Sequence, residues 1–275
     1  MVQLKRLLLV FGVVAGGIVA FVYAASEYKM QRTYDVALIE PVNDIDPDIA
    51  AGERMAKIVG CWAGCHGVRG EGGTEEVAGL WRISAPALGA VVPQYSDAEL
   101  MRLVLRGIKR DGRSAIAMTS YSFWALGDED LANIIYFLRK QPPAETQEPV
   151  RQISFASRLK LLRGQWFLSA DWVDTTMPRW GNMPRETSYE RGRYLAAIVC
   201  AECHGADYLG DPFQGGPPLS VLTIYDEAEF STLMKTAVSQ AGIPVESMSW
   251  LPDIEFSDGD IRDLYEFFTQ WDDLR

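Results

Sequence analysis

The sequence predicts an all-α protein in which two tandem helical domains follow one N-terminal transmembrane helix. Three observations support this fold class: an uncharged apolar run near the N-terminus, amphipathic segments that begin with acidic residues, and the recurrence of those segments in each half of the chain. The length of 275 residues suffices for two domains that each bury a core.

Composition narrows the class of protein further. The chain is 48% hydrophobic and 23% charged, as is typical of a globular protein rather than a disordered chain. Its net charge of −11 and its isoelectric point of about 4.8 argue against nucleic-acid binding, which requires a basic surface.

The N-terminal segment 1–26 is predicted to be a membrane anchor. Lys5 and Arg6 precede nineteen uncharged residues, 7–25, which as a helix would rise about 28 Å and match the hydrocarbon core of a bilayer. The basic flank lies on the N-terminal side, which predicts a single pass through the cytoplasmic membrane with the rest on the periplasmic (outer) side. A cleaved signal peptide is the alternative, because residues 22–24 resemble a cleavage site.

The two halves share the spacing of a methionine and a final helix. Met118 lies twelve residues before Asp130, and Met248 lies twelve before Asp260, each in an expected loop before an acid-capped amphipathic helix. This matched spacing indicates a duplicated domain. The predicted segments are 1–26 (anchor), 46–140 (first domain), 141–185 (linker with an amphipathic helix) and 186–275 (second domain).

The linker contains a segment, 155–168, that mixes basic residues with leucines and aromatic residues. Such a pattern predicts an amphipathic helix that lies on lipid or on a partner subunit. A connecting helix that packs against one of the two domains is the alternative.

Every cysteine and every histidine of the chain lies in one of two short clusters. The amphipathic segment upstream of each cluster is expected to run as a helix directly into it. No histidine or cysteine remains for a Ser-His-Asp triad or a separate His-rich zinc site. The first cluster is Cys61, Cys65 and His66, and the second is Cys200, Cys203 and His204.

Two closely spaced cysteines followed at once by histidine are the signature of covalent c-type haem attachment. Thioethers to the porphyrin vinyl groups set the adjacent imidazole beneath the iron. A zinc knuckle or a redox dithiol is the alternative, but zinc needs four ligands and each cluster offers three. The first cluster departs from the pattern, because three residues rather than two separate Cys61 from Cys65.

On these motifs the chain resembles the class I c-type cytochrome family, as two tandem domains of a membrane-anchored dihaem cytochrome. The resemblance implies that each domain wraps helices around a covalently bound haem c, with its first helix crossing its last. It also implies two haem c groups and a set of residue roles. Cys61, Cys65, Cys200 and Cys203 would attach haem, His66 and His204 would be proximal ligands, Met118 and Met248 would be distal ligands, and Pro86 and Pro217 match the proline whose neighbouring carbonyl orients the proximal imidazole.

Ligation by histidine and methionine leaves no coordination position for a substrate, so we expect an electron carrier rather than an enzyme. The expected partners are redox proteins, as in a respiratory or dehydrogenase complex that passes single electrons to an oxidase or soluble carrier. The alternatives to such a complex subunit are a carrier that acts alone and a dihaem enzyme of the peroxidase or thiosulfate-oxidising type. An acidic surface could steer a basic partner or be an ordinary solvated face; it comprises residues 128–130, Asp253, Glu255, Asp258, Asp260 and Asp263.

Overall fold

The computed structural model describes residues 2–42, 45–62, 64–145, 148–211, 215–254 and 256–271, and most of them are helical. The expected predominance of helices is therefore confirmed, as are the two acid-capped helices that end the halves. The α-helices are α1 (Val2–Gln31), α2 (Ile49–Ile58), α3 (Leu88–Val91), α4 (Asp97–Arg106), α5 (Ser120–Phe123), α6 (Asp128–Arg139), α7 (Phe155–Leu162), α8 (Ser169–Trp172), α9 (Ser188–Leu195), α10 (Ala201–His204), α11 (Glu227–Thr236) and α12 (Asp258–Gln270).

The first and last helices of each half cross at a glycine. A β-carbon on Gly52 of α2 would clash with the backbone carbonyl of Asn133 on α6 and would lie 2.9 Å from the β-carbon of Phe137. In the second half, a β-carbon on Gly192 of α9 would clash in the same way with α12 and would lie 2.8 Å from the β-carbon of Phe267. Only glycine lets these backbones approach so closely.

One hydrophobic core runs through both halves. It joins residues of α2 and α6 to residues of α9 and α12 without a break. Polar contacts reinforce the junction: Tyr194 donates a hydrogen bond of 2.7 Å to Asp130, which also pairs with Arg185 at 2.7 Å, and Arg54 pairs with Asp260 at 2.5 Å. The two halves are thus packed directly against each other.

A small antiparallel sheet corrects the all-α prediction. It orders β1 (Gly73–Val77), β2 (Trp81–Ala85) and β3 (Arg151–Ile153) side by side. The first half has room for this hairpin because His66 and Pro86 are 20 residues apart, whereas His204 and Pro217 are 13 apart. The third strand comes from the predicted linker, which the sheet joins to the first half.

Helix α1 is long and apolar enough to cross a membrane, a property that a signal sequence would share. Its C-terminal turns pack against α7, which is shorter than the predicted segment 155–168. The linker helix therefore packs against the N-terminal helix, a partner that the sequence did not suggest. A second small core at this junction contains Met30, Ile153, Leu161 and Leu168.

Candidate functional site

The second cysteine–histidine cluster lies at the end of an unbroken helical run. Helix α9 continues through one π-helical turn, Ala196–Cys200, into α10, which ends at His204. The buried imidazole of His204 has its Nδ1 2.7 Å from the carbonyl oxygen of Pro217. A carbonyl oxygen can only accept, so Nδ1 donates the proton and Nε2 keeps a free lone pair.

The histidine of the first cluster makes the same kind of hydrogen bond, but the backbone that precedes it has a different conformation. Helix α2 ends at Ile58, and Gly60 then takes a left-handed φ of +68° within a turn. The expectation that a helix runs directly into the first cluster is therefore wrong. His66 Nδ1 nevertheless lies 2.7 Å from the carbonyl oxygen of Pro86, so its Nε2 is free as well.

The loops that follow the two histidines have the same backbone conformation. Gly72 donates a 2.7 Å hydrogen bond to the carbonyl of His66, and Gly210 donates one of 3.0 Å to the carbonyl of His204. Equivalent positions in the two loops also share a positive φ. These pairs are Gly67 (88°) with Gly205 (81°), Gly70 (67°) with Tyr208 (54°), and Gly72 (93°) with Gly210 (97°).

All four cysteines are free thiols in the structure. Burial raises the pKa of Cys61 and of Cys200 to about 12 and that of Cys203 to about 11. Thiols with such pKa values are protonated at neutral pH, whereas a redox dithiol needs a lowered pKa to supply a reactive thiolate.

The two candidate methionines lie at equivalent places in the halves. Met118 precedes α5 in an irregular segment, and Met248 ends a short 3-10 helix, Glu246–Met248, where an open loop was expected. Both side chains are half-buried against the core.

The turn that leads to each methionine is also duplicated. Ala115 donates to the carbonyl of Gly107 at 2.8 Å, and Val245 donates to the carbonyl of Ala237 at 2.7 Å. Gly107 and Ala237 both end a helix in the left-handed conformation, with φ of 65° and 52°. The repeat predicted from the methionine spacing is thus present in the backbone hydrogen bonds.

The segment after Met118 contacts the second cluster. Tyr121 Oη donates a 2.6 Å hydrogen bond to the backbone carbonyl of Glu202, between Cys200 and Cys203. Burial raises the pKa of the Glu202 carboxyl to about 7, and a hydrogen bond with Thr119 partly offsets this rise. The charge of Glu202 also adds to the raised pKa of Cys61, so the two clusters lie within electrostatic range of each other.

Sequence reasoning did not single out Glu202 or Thr119 for this contact. Their positions offered a signal, since Glu202 lies between two motif cysteines and Thr119 follows a candidate methionine. No pattern in the chain paired the two, because the contact depends on how the halves pack.

Comparison with known proteins gives no family for this chain. No protein-family model matches it, and the search of curated proteins found no match. Within the part of the chain that the structure describes, no three His, Cys, Asp or Glu side chains converge as a metal-binding group.

Proposed function

We propose that this chain is a membrane-anchored dihaem c-type cytochrome that transfers single electrons. The observation that carries the proposal is the pair of 2.7 Å hydrogen bonds from His66 and His204 to the carbonyls of Pro86 and Pro217. Each bond fixes the orientation of an imidazole and leaves its Nε2 free, in a cluster that also contains two cysteines. A haem bound at each cluster would supply a one-electron iron couple.

The donor atoms of each cluster fit this cofactor. A metal-binding histidine donates its other ring N–H to a carbonyl or a carboxylate, which fixes the tautomer and increases the basicity of the ligating nitrogen. Both imidazoles satisfy this condition. The neighbouring cysteines carry free thiols, which two thioether bonds per haem would use completely.

The methionines complete the proposed ligand sets. The thioether sulphurs of Met118 and Met248 would be the second protein ligands of the two irons, because the two residues follow duplicated turns. Histidine together with methionine leaves no position for a substrate, which favours a carrier over an enzyme. In this assignment Cys61, Cys65, Cys200 and Cys203 would hold the two haems covalently.

The contact between the segment after Met118 and the second cluster supports transfer within one molecule. Tyr121 and Thr119 hold the segment after Met118 against Glu202 of the second cluster. A packed, hydrogen-bonded junction keeps the two sites at a fixed separation. Electrons could then enter at one site and leave at the other.

The proposed redox partners include a membrane oxidoreductase complex, but the acidic surface gives them limited support. Most of its acids have a cationic partner within the chain, so their charge is partly neutralised. The pairs are Asp128 with Arg179, Asp130 with Arg185, Asp258 with Lys235, Asp260 with Arg54, and Asp263 with Arg191. Glu255 lies outside the described residues.

Replacement of each methionine tests the proposal directly. We expect Met118→Leu and Met248→Leu each to remove about half of the methionine-to-iron absorption band and to change one of two low-spin EPR signals. Met101→Leu is the matched control, because Met101 is buried in the core of α4 and should leave both centres unchanged. Unchanged spectra in both test variants would contradict the ligand assignment, and a high-spin centre in the wild type would favour the dihaem enzyme.

A further inference from the structure

The outer end of the apolar run in α1 gives a height marker relative to the membrane. Tyr23 lies two residues before Ala25, where the uncharged run ends. A helix rises about 1.5 Å per residue, so Tyr23 lies about 3 Å inside the end of the run. If residues 7–25 span the hydrocarbon core, Tyr23 is at its outer boundary.

Phe155, the first residue of α7, lies beside this marker. Its ring centroid is 6.4 Å from that of Tyr23. The Phe155 side chain is 37% exposed, although it is large and apolar, and Ala156 next to it is exposed as well. The N-terminal turn of α7 thus presents an apolar surface at the level where the anchor leaves the hydrocarbon.

Polar contacts hold α7 at this height. The guanidinium of Arg158 lies 4.6 Å from the centre of the Tyr23 ring and donates a 2.9 Å hydrogen bond to Ser26 Oγ. Glu27 pairs with Arg151, just before α7, at 2.7 Å. Because Arg158 is only 9% exposed, its contacts with Tyr23 and Ser26 are shielded from competing water, whereas the Glu27–Arg151 pair is partly exposed.

We propose that the N-terminal turn of α7 is a second contact with the membrane, in which Phe155 inserts into the outer leaflet beside Tyr23. The inference rests on the anchor in the proposed function but does not depend on the haem sites. Aromatic side chains are enriched at the boundary between headgroups and acyl chains, where an apolar ring is shielded and a polar edge stays hydrated. The bilayer is the occupant because this surface is continuous with the membrane-spanning face of α1.

This contact would orient the first half relative to the bilayer. Strand β3 leads into α7 and pairs with β2 of the first half. Tyr34, just after α1, donates a 2.9 Å hydrogen bond to the carbonyl of Gly112. An anchor fixed at these points would hold the first half beside the membrane rather than on a free tether.

Photo-crosslinking of the full-length protein in liposomes tests the depth of Phe155. One phospholipid probe carries a diazirine near its headgroup and the other carries it at the acyl terminus, and labelled peptides are mapped by mass spectrometry. We expect the shallow probe to label the Phe155 peptide, and the deep probe to label the segment around Gly16 but not Phe155. Phe155→Asp should abolish labelling of this peptide. Ile243→Asp, at an apolar side chain of the second half that is 63% exposed, should leave the Phe155 labelling unchanged.

Labelling of α1 without any labelling of the Phe155 peptide would overturn the inference. A mature chain that begins after residue 25 would overturn both the anchor and the inference. That result would not affect the proposal of two haem sites, which is tested separately by the spectra of the Met118 and Met248 variants.

Discussion

The two cysteine–histidine clusters place their histidines in the same hydrogen bond to a proline carbonyl, although the backbone before each histidine differs. The second follows an unbroken helical run that includes one π-helical turn, whereas the first follows a helix that ends at Ile58 and a turn at Gly60. Beyond the histidines the loops match in their positive φ angles and in their hydrogen bonds. The extra residue of the first cluster is therefore accommodated upstream of His66, and each histidine still makes the same 2.7 Å hydrogen bond to a proline carbonyl.

The largest effect should come from giving the second cluster the spacing of the first. A glycine inserted between Glu202 and Cys203 would rotate His204 by about 100° around a continuous helix and away from Pro217. We expect the variant to carry one covalent haem instead of two, as measured by intact mass.

A glycine inserted after Gly79 is the control for this experiment. Gly79 lies in the open turn of the hairpin, where a β-carbon would meet nothing within 4 Å. This protein should retain both haems. Full haem loading of the Glu202–Cys203 insertion would show that the helix is not what fixes the second cluster.

The helix crossings, in contrast, should respond alike in the two halves. Gly52→Ala and Gly192→Ala each force a methyl group against a backbone carbonyl, so each should lower the free energy of unfolding by about 2–3 kcal/mol. Denaturant titration measures the change. Gly259→Ala is the control, because a β-carbon there meets only Ser257 Oγ at 3.6 Å. A cost below about 0.5 kcal/mol at either crossing would contradict this packing.

Two substitutions test the different backbones of the two clusters: one introduces a side chain in the turn before the first cluster, and the other removes one from the helix of the second. Gly60→Ala places a side chain at φ +68°, at a cost of about 1 kcal/mol in the first half. Ala201→Gly removes a methyl group from a helical position in the second cluster, at a cost of about 1 kcal/mol. Both are measured by thermal unfolding, and a stabilising Gly60→Ala would refute the turn.

The smallest single change is expected at Ala237, one of the two duplicated helix ends. Ala237→Gly should raise the free energy of unfolding by about 0.5–1 kcal/mol, because alanine is strained at φ 52°. Gly107→Ala should lower it by more, since its β-carbon would also lie 2.6 Å from that of Ser169. If the two variants changed the free energy of unfolding by equal amounts in opposite directions, the contact with Ser169 would contribute nothing to the cost of Gly107→Ala.

Local patterns predicted the repeated parts of this fold well. Acidic residues at the start of an amphipathic run predicted α6 and α12. The spacing of Met118 and Met248 predicted a duplication, and the turns before the two methionines have the same backbone hydrogen bonds. These features depend on residues close together in the chain.

Features that depend on tertiary contacts escaped prediction. Strand β3 forms only because the hairpin of the first half offers it an edge, and the segment that contains β3 read as linker. Helix α7 was recognised as amphipathic, but its partner α1 is 132 residues away at the Arg158–Ser26 bond. The bond between Tyr121 and Glu202 depends in the same way on how the halves pack.

The intact mass of the mature protein under denaturing conditions tests the central claim most directly. The account predicts a single species that carries two covalently bound haems. Peptide mapping should place one on Cys61 and Cys65 and the other on Cys200 and Cys203. A chain with one haem or none, or with unmodified thiols at either pair, would contradict it.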